Sequence, residues 1–243
     1  MKGIVLAGGY GTRLRPLTSV TNKHMLPVYC LPLIFYPIKT LKDLNITNIC
    51  IVLGGESVGD CIRLLADGNR FGARFTYVYQ QKAGGIAQAV GLCEDFVADD
   101  NFIVILGDNL FLGSLSSFKE NFEKSGKDCG IVLAKVDNPI EYGVPRFDDA
   151  GKIVEIIEKP KVPSSKFAVT GFYAYTSSVF DEIRKLKPSA RGELEISDVH
   201  TSIIASGKGI YWEVFEGKWF DCGGSFDGLL NAAIAVRDES TAA

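Results

Sequence analysis

Three glycines and two cations lie close together near the N-terminus of this chain. Gly8, Gly9 and Gly11 follow a short apolar run, and Arg13 and Lys23 come after them. Closely spaced glycines let the backbone reach positive φ values and approach a ligand, and successive N–H groups in such a turn form a nest for anions. Arginine and lysine side chains bind phosphate oxygens. The residue types and their spacing therefore predict a phosphate-binding site.

Two common phosphate-binding loops do not account for this stretch. A dinucleotide fold needs a third glycine that opens a helix, but Leu14 stands at that position and Pro16 lies where the helix would run. A P-loop needs Gly-Lys-Ser/Thr, whereas this chain reads Gly11-Thr12-Arg13. A plain turn between a strand and a helix is the remaining alternative. The preceding strand and the two cations favour a ligand-binding role over that turn.

Two aspartates follow apolar segments further along the chain. Asp108 comes directly after the apolar run Phe102–Leu106, and Asp221 stands between aromatic residues and Gly223-Gly224. Ligands of open α/β sheets bind outside the carboxyl ends of the strands. One or two carboxylates together with substrate phosphates suit Mg²⁺. Each aspartate alone is equally well explained as a helix or turn cap; combined with the phosphate loop, they favour a magnesium site.

These motifs resemble those of the sugar-1-phosphate nucleotidylyltransferases. The similarity covers Leu6–Thr18, Asn22–Val28 and the Leu-Gly-Asp-Asn segment at Leu106–Asn109, and it is greatest to glucose-1-phosphate thymidylyltransferases. The resemblance implies an enzyme that joins a nucleoside triphosphate to a sugar 1-phosphate and releases pyrophosphate, with Mg²⁺ as cofactor. Within the family, catalytic roles fall on Arg13, Lys23 and Asp108, and the metal ligands on Asp108 and Asp221.

The resemblance also assigns the nucleotide site. Its members are Leu6, Gly8, Gly9, Gly11, Thr12, Arg13, Gln80, Gly85 and Asp108. The amide of Gln80 can donate and accept hydrogen bonds at a pyrimidine edge, and the glycine matching Gly85 contacts the base. The family reads Gln-Pro-Ser-Pro-x-Gly here, whereas this chain reads Gln-Gln-Lys-Ala-Gly-Gly at residues 80–85. This departure leaves both thymine and uracil open as the base.

A second set of residues is implied for the sugar phosphate. It comprises Tyr142, Gly143, Glu158, Lys159, Val169 and Arg191. Glu158 would accept hydrogen bonds from sugar hydroxyls and Lys159 would bind the phosphate. Taken alone, the Glu158-Lys159 pair is typical of the solvent-exposed end of a strand. For Arg191, contact with phosphate and ordering of its own loop are equal alternatives.

The chain departs from the family around the second aspartate. Cys222 and Gly224 stand where the family more often has two hydroxyl residues, while Asp221 is kept. We therefore expect Asp221 to bind the metal ion, and the contribution of the two hydroxyl groups stays open.

The most direct functional hypothesis is transfer of a nucleotidyl group from dTTP to α-D-glucose 1-phosphate by in-line displacement at the α-phosphorus. The alternatives are the same reaction with UTP or another sugar 1-phosphate, a non-catalytic subunit that binds nucleotide sugars, and a dinucleotide-dependent oxidoreductase. Leu14 and Pro16 argue against the last.

Alternating strand and helix patterns predict the elements that position these residues. Strands are predicted at Ile4–Ala7, Ile49–Leu53, Phe75–Tyr79, Phe102–Leu106, Ile131–Lys135, Phe167–Tyr175 and Tyr211–Phe215, and helices around residues 33–44 and at Asp60–Leu65, Ile86–Phe96, Phe118–Lys124, Ser178–Lys185, Ile196–Ala205 and Ser225–Val236. This order predicts an α/β, Rossmann-like doubly wound fold with a mostly parallel mixed sheet. A hairpin of Val144–Phe147 and Ile153–Ile157 would form a small antiparallel sugar-binding subregion. We expect one domain over 1–243, with residues 1–136 binding nucleotide and 137–243 binding sugar and completing the metal site.

Composition bounds the remaining expectations. The 243 residues carry a formal charge of −3, which gives no support for nucleic-acid binding. No apolar run is long enough to span a bilayer, so a cytoplasmic protein without membrane contact is expected. The six cysteines contain no C-x-x-C pair and are expected to be buried free thiols. The family implies a homodimer or homotetramer, and we expect a short form without the regulatory C-terminal helices of longer members.

Overall fold

The chain forms thirteen strands and eight α-helices over the residues described by its computed structural model, which are 1–55 and 57–242. The strands are β1 Lys2–Ala7, β2 Pro27–Val28, β3 Leu31–Pro32, β4 Asn48–Gly54, β5 Arg74–Gln80, β6 Phe102–Leu106, β7 Asn109–Leu112, β8 Cys129–Lys135, β9 Gly143–Phe147, β10 Ile153–Glu158, β11 Phe167–Tyr175, β12 Tyr211–Val214 and β13 Lys218–Asp221.

The helices connect these strands. They are α1 Phe35–Asp43, α2 Val58–Leu65, α3 Ile86–Gly91, α4 Glu94–Val97, α5 Ser116–Ser125, α6 Val179–Lys185, α7 Ile196–Ala205 and α8 Phe226–Ala242. Single 3₁₀ turns occupy Thr12–Leu14, Leu17–Ser19, Lys23–Met25, Asn69–Phe71 and Pro139–Glu141.

Seven strands form a mixed sheet in the order β12-β8-β11-β6-β1-β4-β5. Strands β1, β4 and β5 run parallel, with Gly3 opposite Ile49 and Asn48 opposite Arg74. Strand β8 pairs parallel with β12 and antiparallel with β11. The predicted α/β fold with a mostly parallel mixed sheet is thereby confirmed.

The described chain divides into two compact units. The first, here called the glycine-loop unit, contains Lys2–Ala83, Ile105–Ser114 and Gly217–Ala243. One of its hydrophobic clusters packs α8 and α1 around β2 and β7, and its buried members are Val28, Leu33, Tyr36, Leu110, Cys222, Ala232 and Val236. Its antiparallel pair β7–β13 sets Asn109 opposite Asp221.

The second, here called the hairpin unit, contains Gly84–Val104 and Leu115–Glu216 together with Met1. Aromatic rings fill its interior: Phe102 lies 5.5 Å from Phe180 and 5.6 Å from Tyr175 between ring centroids. The predicted hairpin forms as β9–β10, with Gly143 opposite Glu158. The assignment of separate functions to residues 1–136 and 137–243 stays a prediction, since the two units do not follow chain order.

Several details differ from the sequence prediction. The single helix expected over Ile86–Phe96 is divided into α3 and α4 by a turn at residues 92 and 93, directly after Gly91, whose helix propensity is low. The strands β2 and β3, of two residues each, and β7 and β13, of four residues each, were not predicted. Strands β7 and β13 are stabilised by each other across more than a hundred residues of chain rather than by a local pattern.

All six cysteines are free thiols as expected, although Cys30 is exposed rather than buried. None of the described helices combines the length and apolar character needed to cross a bilayer.

Candidate functional site

The glycine loop after β1 is shaped around the side chain of Lys23. A methyl group placed on Gly9 would lie 3.4 Å from Lys23 Cε, and one on Gly11 would lie 2.9 Å from Lys23 Cβ. Gly11 also has a φ of +64°, a conformation that side chains disfavour, and its carbonyl accepts a 2.8 Å hydrogen bond from Thr18 Oγ1. Glycine at these positions lets the lysine stem pass directly against the loop backbone.

Gln80 lies against the start of the same loop. A methyl group on Gly8 would come within 2.4 Å of Gln80 Oε1. Gly54, at the end of the intervening strand β4, is also required, because a methyl group there would meet the carbonyls of Gly8 at 2.8 Å and of Gln80 at 3.0 Å. The parallel order β1-β4-β5 therefore brings the amide of Gln80 to the glycine loop, where a base-reading role would require it.

Asp108 follows β6 and meets the end of the Lys23 side chain. Lys23 Nζ forms a short ion pair with Asp108 Oδ2, and the two side chains are only 16% and 11% exposed. Asn109 Nδ2 donates to Asp108 Oδ1 at 3.1 Å, and Trp219 Nε1 donates to Asn109 Oδ1 at 2.7 Å. Burial alone would raise the pKa of Asp108, but the charge of Lys23 and the hydrogen bonds from Lys23 and Asn109 hold that pKa below its ordinary range.

His24 is a residue of this site for which the sequence analysis proposed no role. It is fully buried, and Asn22 Oδ1 accepts hydrogen bonds from the His24 backbone N–H at 2.9 Å and from the ring Nδ1 at 2.5 Å. Since Asn22 Oδ1 accepts the bond, the ring proton lies on Nδ1 and Nε2 is unprotonated. Burial and the adjacent Lys23 lower the pKa of His24 to about 3. The neighbouring Asn22-Lys23 motif is the sequence signal that could have identified it.

The ring of His24 explains the glycine before Asp108. A methyl group on Gly107 would lie 2.7 Å from His24 Cδ2 and 2.8 Å from the carbonyl oxygen of Leu6. The Gly107 N–H donates to that Leu6 carbonyl at 2.8 Å. His24 therefore helps to fix the positions of Lys23, its neighbour in sequence, and of Asp108, the neighbour of Gly107.

The second aspartate lies beside the first. The Cys222 N–H donates to the Asp108 carbonyl at 2.9 Å, and a methyl group on Gly223 would lie 2.0 Å from Asp108 Oδ2. Asp221 Oδ1 accepts a 3.1 Å hydrogen bond from the Gly223 N–H. Burial and the negative charge of Asp108 raise the pKa of Asp221, and the charges of Lys23 and Arg13 oppose that rise.

The donor set at these two aspartates fits a magnesium ion. No group of three or more His, Cys, Asp or Glu side chains converges anywhere in residues 1–55 and 57–242. Mg²⁺ does not require one, because it is bound through one or two carboxylates with water and substrate phosphates as the other ligands. The like-charge repulsion that raises the pKa of Asp221 is what a divalent cation would relieve.

The remaining predicted nucleotide residues take contrasting positions in the glycine-loop unit. Thr12 and Arg13 are exposed on the 3₁₀ turn that follows the loop, so their side chains are accessible to a ligand. Leu6 is buried in β1 and its carbonyl holds Gly107.

The predicted sugar-phosphate residues gather in the hairpin unit. A methyl group on Gly143 would lie 3.5 Å from Glu158 Oε2 and 3.7 Å from Val169 Cβ. The Lys159 N–H donates to the Tyr142 carbonyl at 3.0 Å, and Lys159 has a φ of +45°. Non-glycine residues in this conformation carry strain that concentrates at functional sites.

Arg191 is engaged by carboxylates of the same unit. Its Nε donates to Glu195 Oε1 at 3.0 Å and its Nη2 donates to Glu195 Oε2 at 2.7 Å. Ser189 Oγ also donates to Glu195 Oε1, at 2.7 Å. The nearest oxygen of Glu158 is 3.8 Å away. These contacts order the loop, which was one of the two alternatives for Arg191. Burial and then Glu195 raise the pKa of Glu158, while Lys159 and Arg191 oppose the rise.

Gly85 is held against another segment of the hairpin unit. Its φ is +100°, and a methyl group on it would lie 2.3 Å from the carbonyl oxygen of Leu194. The Leu194 N–H donates to the Gly84 carbonyl at 2.8 Å, and the Ala87 N–H donates to the Leu194 carbonyl at 3.2 Å. Glycine is therefore demanded here by backbone packing, whatever its contact with a base.

Comparison with known proteins gives a consistent set of similarities. The nucleotidyl transferase family model matches residues 2–239. A glucose-1-phosphate thymidylyltransferase of Mycolicibacterium smegmatis is 42% identical over 241 residues, which are 98% of this chain and 82% of that protein.

Solved structures are similar over nearly their whole length. A candidate glucose-1-phosphate thymidylyltransferase from Bacillus anthracis, crystallised with sucrose, superposes with a TM-score of 0.92 and 47% identity over 98% of this chain and 96% of its own. A UDP-glucose pyrophosphorylase in complex with UDP-glucose gives a TM-score of 0.85 and 27% identity, covering 98% of both chains.

Proposed function

This chain belongs to the nucleotidyl transferase family, and from this premise we propose that it transfers a thymidylyl group from dTTP to α-D-glucose 1-phosphate, giving dTDP-glucose and pyrophosphate. The observation that carries the proposal is the path of Lys23, whose stem follows the glycine loop and whose ammonium ends at Asp108. A cation, an anion-binding loop and a pair of carboxylates are thus part of one unit. Similarity to curated thymidylyltransferases supports the choice of dTTP and glucose 1-phosphate.

The residues of the glycine-loop unit would act on the triphosphate. The N–H groups of Gly8–Gly11 would bind phosphate oxygens, and the exposed Arg13 would bind the departing pyrophosphate. Lys23 would neutralise the charge that develops on the α-phosphate. A phosphate nucleophile is already ionised, so positioning and charge stabilisation supply the catalysis, without a general base.

Asp108 and Asp221 would hold the Mg²⁺ that this family of reactions uses. When bound, such an ion neutralises phosphate charge and orients the groups for in-line displacement. Asn109 would orient Asp108, and the Gly223 N–H would orient Asp221.

In the hairpin unit, Glu158 would accept hydrogen bonds from sugar hydroxyls and Lys159 would bind the sugar phosphate. Gly143 and Val169 would form the apolar floor against the ring, and Tyr142 fixes Lys159 through its carbonyl. Arg191 would act through Glu195, or would reach the phosphate once that pair opens. A homodimer or homotetramer remains part of the proposal.

Release of pyrophosphate, measured across dTTP, UTP, dCTP and ATP with glucose 1-phosphate and galactose 1-phosphate, tests this function. We expect dTTP with glucose 1-phosphate to give the highest kcat/KM. UTP lacks the 5-methyl group of dTTP and carries an additional 2′-hydroxyl. Since one methyl group alone is worth about 10–200-fold in a hydrophobic pocket, UTP should be used less well by about tenfold or more. Absence of pyrophosphate release with every pair would contradict the proposal and favour a non-catalytic subunit.

The second candidate is the same transfer from UTP. Two observations favour it: the structural similarity to UDP-glucose pyrophosphorylase, and the unusual residues 80–85, where glutamine, lysine and alanine at positions 81–83 replace the prolines and serine of the thymidylyltransferases. A kcat/KM for UTP equal to or above that for dTTP would establish it.

A further inference from the structure

Both carboxylate oxygens of Asp108 already have partners within the glycine-loop unit. Oδ1 accepts a hydrogen bond from Asn109 at 3.1 Å, and Oδ2 carries the ion pair with Lys23. Exposure of 16% for the lysine and 11% for the aspartate means that water screens this pair little. A cation that takes Asp108 as a ligand therefore meets a carboxylate whose charge is already neutralised.

The space beside this ion pair is limited by the turn after β13. A methyl group on Gly223 would lie 2.0 Å from Asp108 Oδ2 and 2.9 Å from Lys23 Nζ. The Cys222 N–H fixes this turn by donating to the Asp108 carbonyl. Backbone thus covers one side of the Oδ2–Nζ contact, and a cation approaching Oδ2 competes with the ammonium for the remaining positions.

Asp221 differs from Asp108 because its carboxylate has no ion pair of its own among the described residues. Within residues 1–55 and 57–242, the donor to its Oδ1 is neutral: the Gly223 N–H, at 3.1 Å. The ammonium of Lys23 pairs with Asp108, so it supplies one positive charge beside two carboxylates. A divalent cation supplies the charge that two carboxylates need, whereas one ammonium does not.

The ammonium of Lys23 that pairs with Asp108 also borders the glycine loop. The Cε and Nζ atoms lie 3.4 and 3.5 Å from a methyl position on Gly9, in the loop expected to bind the triphosphate. We propose that Lys23 is an internal counter-ion which a divalent cation displaces from Asp108, and that the released ammonium then binds the phosphates at the glycine loop. This inference rests on the proposed function and adds a coupling between metal binding and the placement of Lys23.

The coupling makes a directional prediction for the free protein. Lys23 weakens metal binding in the absence of nucleotide, because the ion must first displace a charge of its own sign. A lysine that only ordered the loop or bound phosphate would not have to leave Asp108 before a metal ion could bind, and would not weaken metal binding in this way.

Binding of Mn²⁺ to the nucleotide-free protein, followed by electron paramagnetic resonance, tests the displacement. Lys23→Met keeps the length of the side chain and removes its charge, so we expect Mn²⁺ to bind about tenfold or more tightly than to the wild type. Lys23→Arg retains a cation and should bind Mn²⁺ no more tightly than the wild type does. Asp221→Asn should weaken binding in either background, which places the ion at this site.

Equal or weaker Mn²⁺ binding by Lys23→Met than by the wild type would overturn the displacement. Should that variant fail to fold, Lys23→Gln, which keeps a hydrogen-bond donor for Asp108, is titrated in its place and is held to the same criterion. The failure of the proposed function is distinguishable: wild-type protein would release no pyrophosphate with any substrate pair. Intact wild-type turnover together with unchanged Mn²⁺ affinity in the variant would remove the displacement alone.

Discussion

Lys23 contacts both the glycine loop and Asp108, so its removal has two separable consequences. One concerns the triphosphate, which under the proposed function would lose a cation. The other concerns Asp108, which is left as a nearly buried charge without its partner. The sequence analysis predicted only the first, because a lysine's partner cannot be read from sequence spacing.

We predict that Lys23→Ala lowers kcat by about 100-fold or more, as loss of a group that stabilises transition-state charge does. It should also lower the free energy of unfolding by about 3–5 kcal/mol, the usual cost of breaking a buried ion pair. Steady-state kinetics and urea unfolding measure the two effects. Lys39→Ala is the matched control, because Lys39 is 72% exposed in its pair with Asp43 and should change neither quantity. Turnover near that of the wild type would remove Lys23 from the catalytic residues.

Asp221→Asn separates metal binding from stability. We expect the variant to need about tenfold more Mg²⁺ for half-maximal activity, since one carboxylate ligand is lost. An unchanged Mg²⁺ titration would remove Asp221 from the metal ligands.

The same variant should be more stable than the wild type without metal at pH 8. The pKa of Asp221 is raised in the folded state, so the associated stability is present below the unfolded pKa and is lost as pH rises through the folded pKa. Asparagine does not ionise, so the variant loses no stability between the unfolded and the folded pKa of Asp221. Urea unfolding in a chelating buffer at pH 4 and pH 8 should show the advantage at pH 8 only; an equal difference at both values would contradict this cause.

At the scale of elements, short turns decide where the site residues lie. The turn Cys222–Gly224 joins β13 to α8 and touches both aspartates. The segment Gly84–Ala87 enters α3 and is bound to Leu194, directly before Glu195. Both turns use glycine because backbone or a carboxylate occupies the space of a side chain.

Gly85→Ala tests the turn before α3. The new methyl group would clash with the Leu194 carbonyl at 2.3 Å in addition to the strain of a φ of +100°. Gly151→Ala, with a φ of +75° and open space, carries the strain alone, about 1 kcal/mol. We expect Gly85→Ala to lower the free energy of unfolding by about 1–3 kcal/mol more than Gly151→Ala does, and to raise the KM for nucleotide. Equal losses in thermal or urea unfolding would show that the contact with Leu194 is unimportant.

Gly224→Ala tests the departure from the family at that position. The added methyl group would lie 3.0 Å from Asp221 Oδ2, closer than ordinary van der Waals contact, so the carboxylate must move. We expect the Mg²⁺ concentration for half-maximal activity to rise by about threefold or more, given that about 1 kcal/mol of strain falls on one ligand. Gly59→Ala, in α2 with open space around it, should leave the Mg²⁺ titration unchanged. A response to both substitutions, or to neither, would contradict the argument.

At the scale of the whole molecule, the two histidines make stability sensitive to acid. His24 and His200 are buried, one in each unit, and burial is the first cause that lowers each pKa from 6.5 to about 3. A buried neutral histidine contributes stability above its unfolded pKa that is lost as pH falls through the window between the two values.

We therefore expect the free energy of unfolding to fall as pH decreases from 6.5 toward 3, by up to about a few kcal/mol for each histidine. The raised pKa values of Glu158 and Asp221 act in the opposite direction, so the histidine contribution is measured by difference. His200→Gln should reduce the pH slope of urea unfolding by up to one proton relative to the wild type. An identical slope would mean that His200 is protonated in the folded protein.

The sequence predicted most elements and the residue types of the site, because both depend on local properties. Apolar runs of strand length, amphipathic helical segments and glycines after a strand each specify their own conformation. It could not predict β7, β13 or the role of His24, which depend on partners distant in the chain. The division of the helix at Gly91 was missed because one glycine inside a helical pattern is usually tolerated.

By itself, the sequence determined that the chain has an α/β fold and the motifs of the nucleotidyl transferase family, and it predicted a phosphate-binding loop and two metal-binding aspartates. Only the tertiary structure decided that Lys23 neutralises Asp108, that the turn after Asp221 covers this pair, and that Arg191 is bound by Glu195. The physical reason is that charges interact through space: ion pairs and pKa values depend on distance and burial, and the fold sets both for residues far apart in sequence.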